Sequence, residues 1–162
     1  MQVPLLDLKA QYSQIKDQVE PAILEVCRSQ VCIGGPKLAE FEAAIAGYCG
    51  SKYAIGVSSG TDALLLALMA LGITAGDEVV VPAFTFGATA EVVARVGAKP
   101  VFADVDPDTF NLTADLISEK LTPKTRGVIV VHLFGQMVDM KPVMELARSR
   151  HLFVIEDACQ SI

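Results

Sequence analysis

The chain has 162 residues, enough for one domain or part of a larger one. With 52% apolar and 20% charged residues it is not a disordered chain. Its 13 Lys and Arg against 19 Asp and Glu leave a net charge of −6, and no basic run offers a footprint for nucleic acid or an anionic membrane.

A first helix is predicted over residues 8–29, where Tyr12, Ile15, Val19, Ile23, Val26 and Cys27 recur at helical spacing, with Pro21 as a kink or restart. Gly34-Gly35-Pro36 is a break. Lys37 to Tyr48 reads as an amphipathic helix with Leu38, Phe41 and Ile45 on one face, ended by Gly50. Short apolar runs follow at Ala54–Val57, Val79–Val81, Pro100–Ala103, Val128–His132 and Leu152–Ile155, too brief for helices and therefore read as strands. Helical windows at 61–71, 87–96, 114–121 and 140–150 lie between them, with Gly72 and Gly97 as stops and Thr113 and Asp139 as N-caps. The expected fold class is α/β: a mostly parallel sheet flanked by helices on both faces. The longest apolar stretch, Ala63–Leu71, is far shorter than the roughly 20 residues a membrane span needs, so it is a buried helix. The N-terminal residues include Asp7, Lys9, Lys16 and Asp17 and show no secretory h-region. Cys27, Cys32, Cys49 and Cys159 form neither a C-x-x-C pair nor a Cys/His cluster. That argues against zinc or a disulfide framework and for reduced thiols in the cytoplasm, so no metal site is expected.

Parallel sheets bind ligands at the carboxyl ends of their strands, so the residues just after each apolar run carry the functional information. Ser58-Ser59-Gly60-Thr61 follows a strand and opens a helix. Either it is an anion site built from free N–H groups, helped by the Ser59 and Thr61 hydroxyls, or it is an ordinary N-cap. It lacks the G-K-[ST] of a P-loop and the spacing of G-x-G-x-x-G. Glu156-Asp157 stands directly after Leu152-Phe153-Val154-Ile155. A carboxylate there is a helix cap, an ion pair, or a buried anion waiting for a cationic ligand. Phe84 and Phe86 are core side chains or a platform for a flat ligand. His132 is read as a satisfied structural histidine, His151 as surface, and Cys159 as a small core residue. One ligand uses an anion site, an aromatic platform and a buried carboxylate together: pyridoxal 5′-phosphate, whose ring nitrogen needs a carboxylate to stay protonated.

With these landmarks in order, the sequence resembles the DegT/DnrJ/StrS family of sugar aminotransferases. The matching segments are Pro4–Leu8, Ser59–Leu64, Gly76–Val79, Pro82–Phe86, Asp104–Pro107, His132–Gly135 and Glu156–Gln160. The resemblance implies a fold-type-I large domain, here incomplete. Residues 1–36 would form a helical segment and substrate-side loop, and 37–162 part of the cofactor-binding domain. It implies that Gly60 and Thr61 hold the cofactor phosphate, that Phe86 stacks on the ring, that Asp157 is the catalytic partner of the ring nitrogen, and that Gln160 contacts the ring hydroxyl oxygen. It implies amino transfer, from glutamate, to a nucleotide-linked keto-sugar in amino-sugar biosynthesis, and a homodimer with shared active sites. Lys37 is one candidate for the substrate phosphates. The family's Schiff-base lysine lies downstream of this motif, and all eight lysines here precede Asp157. The chain is therefore expected to be the N-terminal portion of a longer enzyme, inactive alone, with the Ala54–Val57 strand left as an unpaired edge. Two alternatives stand: a sugar dehydratase of the same family, with histidine in place of the lysine, and a catalytically silent regulatory domain.

Overall fold

The structure, a computed structural model, describes residues 6–162. Pro4 and Leu5 of the Pro4–Leu8 landmark lie outside these residues. The chain forms two compact units, Met1–Gly56 and Val57–Ile162.

In the first unit, α1 spans Leu8–Ser29, opened by the Asp7 carboxylate, which accepts the Ala10 N–H at 2.9 Å. It runs through Pro21 without restarting. The Gly34-Gly35 break leads into α2, Pro36–Cys49, with Pro36 in its first turn and Gly50 closing it at φ 63°. Ala54–Val57 is not a strand, which corrects the sequence reading. Among the described residues it has no ladder partner, and the Gly56 N–H donates instead to the Glu42 carboxylate at 2.7 Å. An apolar run becomes a strand only when a neighbour satisfies its backbone, and Ile55 remains 81% exposed.

The second unit opens with α3 (Gly60–Ala70), β1 (Glu78–Pro82), α4 (Ala88–Arg95) and β2 (Lys99–Ala103). It continues with α5 (Ala114–Ser118), β3 (Thr125–Val131), α6 (Met140–Arg150) and β4 (Phe153–Asp157). The strands are all parallel in the order β2-β1-β3-β4. Thr113 and Asp139 cap α5 and α6 through their side chains. Helix α5 stops three residues short of the predicted end: after Ser118 the chain tightens into i→i−3 turns, with the Lys120 N–H donating to the Ile117 carbonyl and the Leu121 N–H to the Ser118 carbonyl.

Period-two alternation divides the core between the two sheet faces. Val79 and Val81 of β1 and Ile129 of β3 pack with Leu64 and Leu68 of α3 and with Val92 and Val93 of α4. Val80, Val128 and Val130 pack on the opposite face with Ile117 of α5 and Val143 of α6. In β4, Phe153 and Ile155 join the α3/α4 side and Val154 joins the α5/α6 side. By the same alternation Asp157 falls on the α3/α4 face and Glu156 on the other.

Candidate active site

From β1 the chain runs outward to β2, then returns to the other side for β3 and β4, so the strand order reverses between β1 and β3. A crevice at the carboxyl ends is expected there, and a cavity of about 270 Å³ occupies it. Gly60 and Thr61 enter from the start of α3, Phe86 from the segment after β1, and Asp157 and Gln160 from the end of β4. The cavity thus brings together the five residues that the resemblance assigns to the cofactor.

The α3 end is prepared for an anion. Among the described residues, the N–H groups of Gly60 and Thr61 have no acceptor, as expected for the first turn of a helix. Ser59 is the N-cap: its Oγ accepts the Asp62 N–H at 3.1 Å and donates to the Asp62 carboxylate at 3.0 Å. Ser58 donates to the same carboxylate. These hydroxyls, Ser58 first, hold the Asp62 carboxyl below the usual carboxylate range. The N-cap and anion readings of this turn are therefore compatible, with a correction: the Ser59 hydroxyl is taken up by the cap, leaving Thr61 as this turn's hydroxyl residue at the cavity. Gly60 is required by close approach, since a Cβ there would lie 2.8 Å from the Cys159 Sγ.

At the other wall, Asp157 is half-buried. Its Oδ1 accepts the Cys159 N–H at 3.2 Å. The Asp157 carboxylate, and then burial, push the Cys159 thiol above its ordinary value, so it stays protonated. Cys159 is not a core residue, as the sequence suggested, but a wall of this cavity. Gln160 is oriented by the 3-10 turn Leu133–Gly135: its Oε1 accepts the Phe134 N–H at 2.7 Å, which leaves the amide nitrogen as its free donor end. Phe134 adopts left-handed backbone, φ 55°, to aim that N–H.

Neither candidate phenylalanine is core. Phe86 is 76% exposed at the cavity. Phe84 lies in an exposed aromatic group, its ring centroid 5.9 Å from that of Phe110 and 6.5 Å from that of Phe134. His132 is buried and fully hydrogen-bonded, as expected, and His151 is exposed at the end of α6. Lys37, the candidate phosphate ligand, is already held by Glu25 at 3.4 Å and Glu40 at 3.2 Å. Thr85 also lines the cavity and was not singled out; its position between two aromatic residues after a strand was the available signal.

Fold and cavity together define the class: a parallel α/β domain with a ligand-sized crevice at the carboxyl ends of its strands, at the sheet's switch point. The chain belongs to the DegT/DnrJ/EryC1/StrS aminotransferase family, whose model matches residues 13–162. It is 48% identical over 162 residues to a pleiotropic regulatory protein of Geobacillus stearothermophilus, covering 100% of this chain and 44% of that protein. It is 45% identical over 159 residues to a UDP-2-acetamido-2-deoxy-3-oxo-D-glucuronate aminotransferase of Pseudomonas aeruginosa, covering 98% of this chain and 44% of that one. The crystal structure of S. venezuelae DesV in complex with a ketimine intermediate superposes with a TM-score of 0.95 at 43% identity, covering 98% of this chain and 43% of DesV. The chain therefore spans less than half the length of the relatives it matches. Among the described residues, no helix is long and apolar enough to cross a membrane.

Proposed function

We propose that this chain is the part of a pyridoxal-phosphate-dependent sugar aminotransferase that binds the cofactor, and that the whole protein transfers an amino group, from glutamate, to a nucleotide-linked keto-sugar. The observation that carries the reading is the convergence of Gly60, Thr61, Phe86, Asp157 and Gln160 on one cavity. The donor set suits the cofactor. Two N–H groups without acceptors at a helix start match a phosphate dianion. A carboxylate matches a protonated ring nitrogen, an amide donor matches the ring oxygen, and about 270 Å³ suits a small flat ligand. In this reading Gly60 and Thr61 bind the phosphate, Phe86 covers the ring, Asp157 keeps the proton on the ring nitrogen, and Gln160 donates through Nε2. The bound cofactor supplies an electron sink for amino transfer, which is effective only while that proton is held.

We read residues 1–36 as a substrate-side segment and 37–162 as part of the cofactor domain, in a cytoplasmic homodimer with shared active sites, following the family resemblance. With Lys37 engaged by two carboxylates, the substrate phosphates are assigned to cations outside this chain. The dehydratase alternative is not favoured by relatives named as aminotransferases. The regulatory alternative has the name of the Geobacillus relative in its support.

The test is the full-length protein mixed with pyridoxal 5′-phosphate, glutamate and nucleotide-linked keto-sugars. A visible absorption band, about one equivalent of 2-oxoglutarate per site with glutamate alone, and continued release only when a keto-sugar is present are expected. A colourless protein, or a coloured one that releases no more than that single equivalent with any keto-sugar, overturns the proposal.

A further inference from the structure

His132 lies between two residues of the cavity wall, Val131 and Leu133, yet does not line the cavity itself. It is 1% exposed, and its hydrogen-bonding sites are occupied. Nδ1 accepts the Val138 N–H at 3.1 Å. The ring proton therefore sits on Nε2, which donates to the Glu156 Oε2 at 3.0 Å. Its backbone N–H donates to the Asp157 carbonyl at 3.0 Å, extending the β3–β4 ladder beyond the Val131–Asp157 pair. Glu156 and Asp157 point to opposite sheet faces. A hold on the Glu156 side chain from one face thus limits rotation of the strand end that aims Asp157 from the other. Nothing else holds the Glu156 carboxylate: its only hydrogen bond among the described residues is the one from His132.

We propose that His132 is a positioning residue for Asp157, acting through Glu156. The inference rests on the reading of Asp157 as partner of the ring nitrogen. His132 makes no contact with the cavity and transfers no proton. It fixes the direction of the carboxylate that does the work, and misplacements of this kind far from the chemistry cost large factors in rate.

Two substitutions separate its two side-chain bonds. His132→Asn keeps an acceptor near Nδ1 for Val138 but loses the donor to Glu156. His132→Gln keeps a donor near Nε2. The readout is the 15N NMR signal of ring-labelled pyridoxal 5′-phosphate bound to the full-length protein, which reports the protonation of the ring nitrogen. H132N is expected to move the signal toward the unprotonated form and to lower kcat by roughly tenfold or more, while H132Q keeps the wild-type signal. An unshifted signal in H132N, or equal shifts in both variants, overturns the proposal. If H132N does not fold, Glu156→Ala, at a half-exposed side chain, tests the same link: a shifted signal supports it and a wild-type signal overturns it. A wild-type protein whose bound ring nitrogen is unprotonated overturns the reading of Asp157, and this inference with it. A protonated wild type with unshifted variants overturns the role of His132 alone.

Discussion

The Oδ1 of Asp157 is tied to the Cys159 N–H, which leaves Oδ2 as the oxygen available to a ligand. Asp157→Asn keeps the shape and removes the charge. In the full-length enzyme it is expected to retain cofactor but lose roughly 10²–10³-fold in kcat, the scale of losing one preorganised electrostatic partner. Steady-state kinetics check this, and turnover within a few-fold of wild type contradicts it. Gly60→Ala drives a Cβ to 2.8 Å from the Cys159 Sγ. Fluorescence titration is expected to show weaker binding of pyridoxal 5′-phosphate by G60A, restored at least in part by adding Cys159→Ala; no change in affinity for G60A counts against the crowding. Gly60, Thr61 and Asp157 were legible as cavity candidates at this scale because each stands after an apolar run, Gly60 and Thr61 at a helix start and Asp157 at a strand end, whereas Gln160 was named by the resemblance alone. What was not legible is how each hydroxyl and thiol is spent. Sequence does not tell that Ser59 turns to Asp62, or that Cys159 faces the cavity rather than the core, since both depend on tertiary approach.

The strands were readable because a parallel sheet covered on both faces has near-continuous apolar strands, and β1 and β3 do. Ala54–Val57 has the same composition without the partner, and composition alone cannot supply one. Close packing between elements shows in Gly127 of β3, where a Cβ would lie 2.5 Å from the ring of its β4 partner Phe153. Gly127→Ala is expected to lower stability by about 1–3 kcal/mol through overpacking, measured by denaturant unfolding; an unchanged midpoint contradicts it. Glu78, a buried residue at the start of β1, accepts the Thr122 hydroxyl and the Lys99 ammonium, the latter at 3.1 Å. The Thr122 hydroxyl first, then Lys99, hold its carboxyl below the ordinary value. A lowered folded-state pKa stabilises the fold above the unfolded value, about 4.3 for glutamate, and that contribution is lost as pH falls through the folded value. Thr122→Val should therefore melt earlier than wild type at neutral pH, and the difference should shrink in acid below the carboxylate range. A difference independent of pH contradicts the link.

For the molecule as a whole, the acidic balance of −6 bears on where an anionic substrate is met. Among the described residues, no Lys or Arg lines the cavity, and the groups there suited to an anion are backbone N–H groups. If this cavity holds the cofactor, as proposed, an anionic substrate is met by groups outside the cavity lining. Every residue role proposed for Gly60, Thr61, Phe86, Asp157 and Gln160 depends on the cavity at the sheet's switch point being a cofactor site. The most direct measurement is a crystal structure of the full-length protein grown with pyridoxal 5′-phosphate. The phosphate is expected within hydrogen-bonding distance of the Gly60 and Thr61 N–H groups and the ring nitrogen against the Asp157 carboxylate. A cofactor bound elsewhere, or bound with Asp157 turned away from the ring, would contradict it.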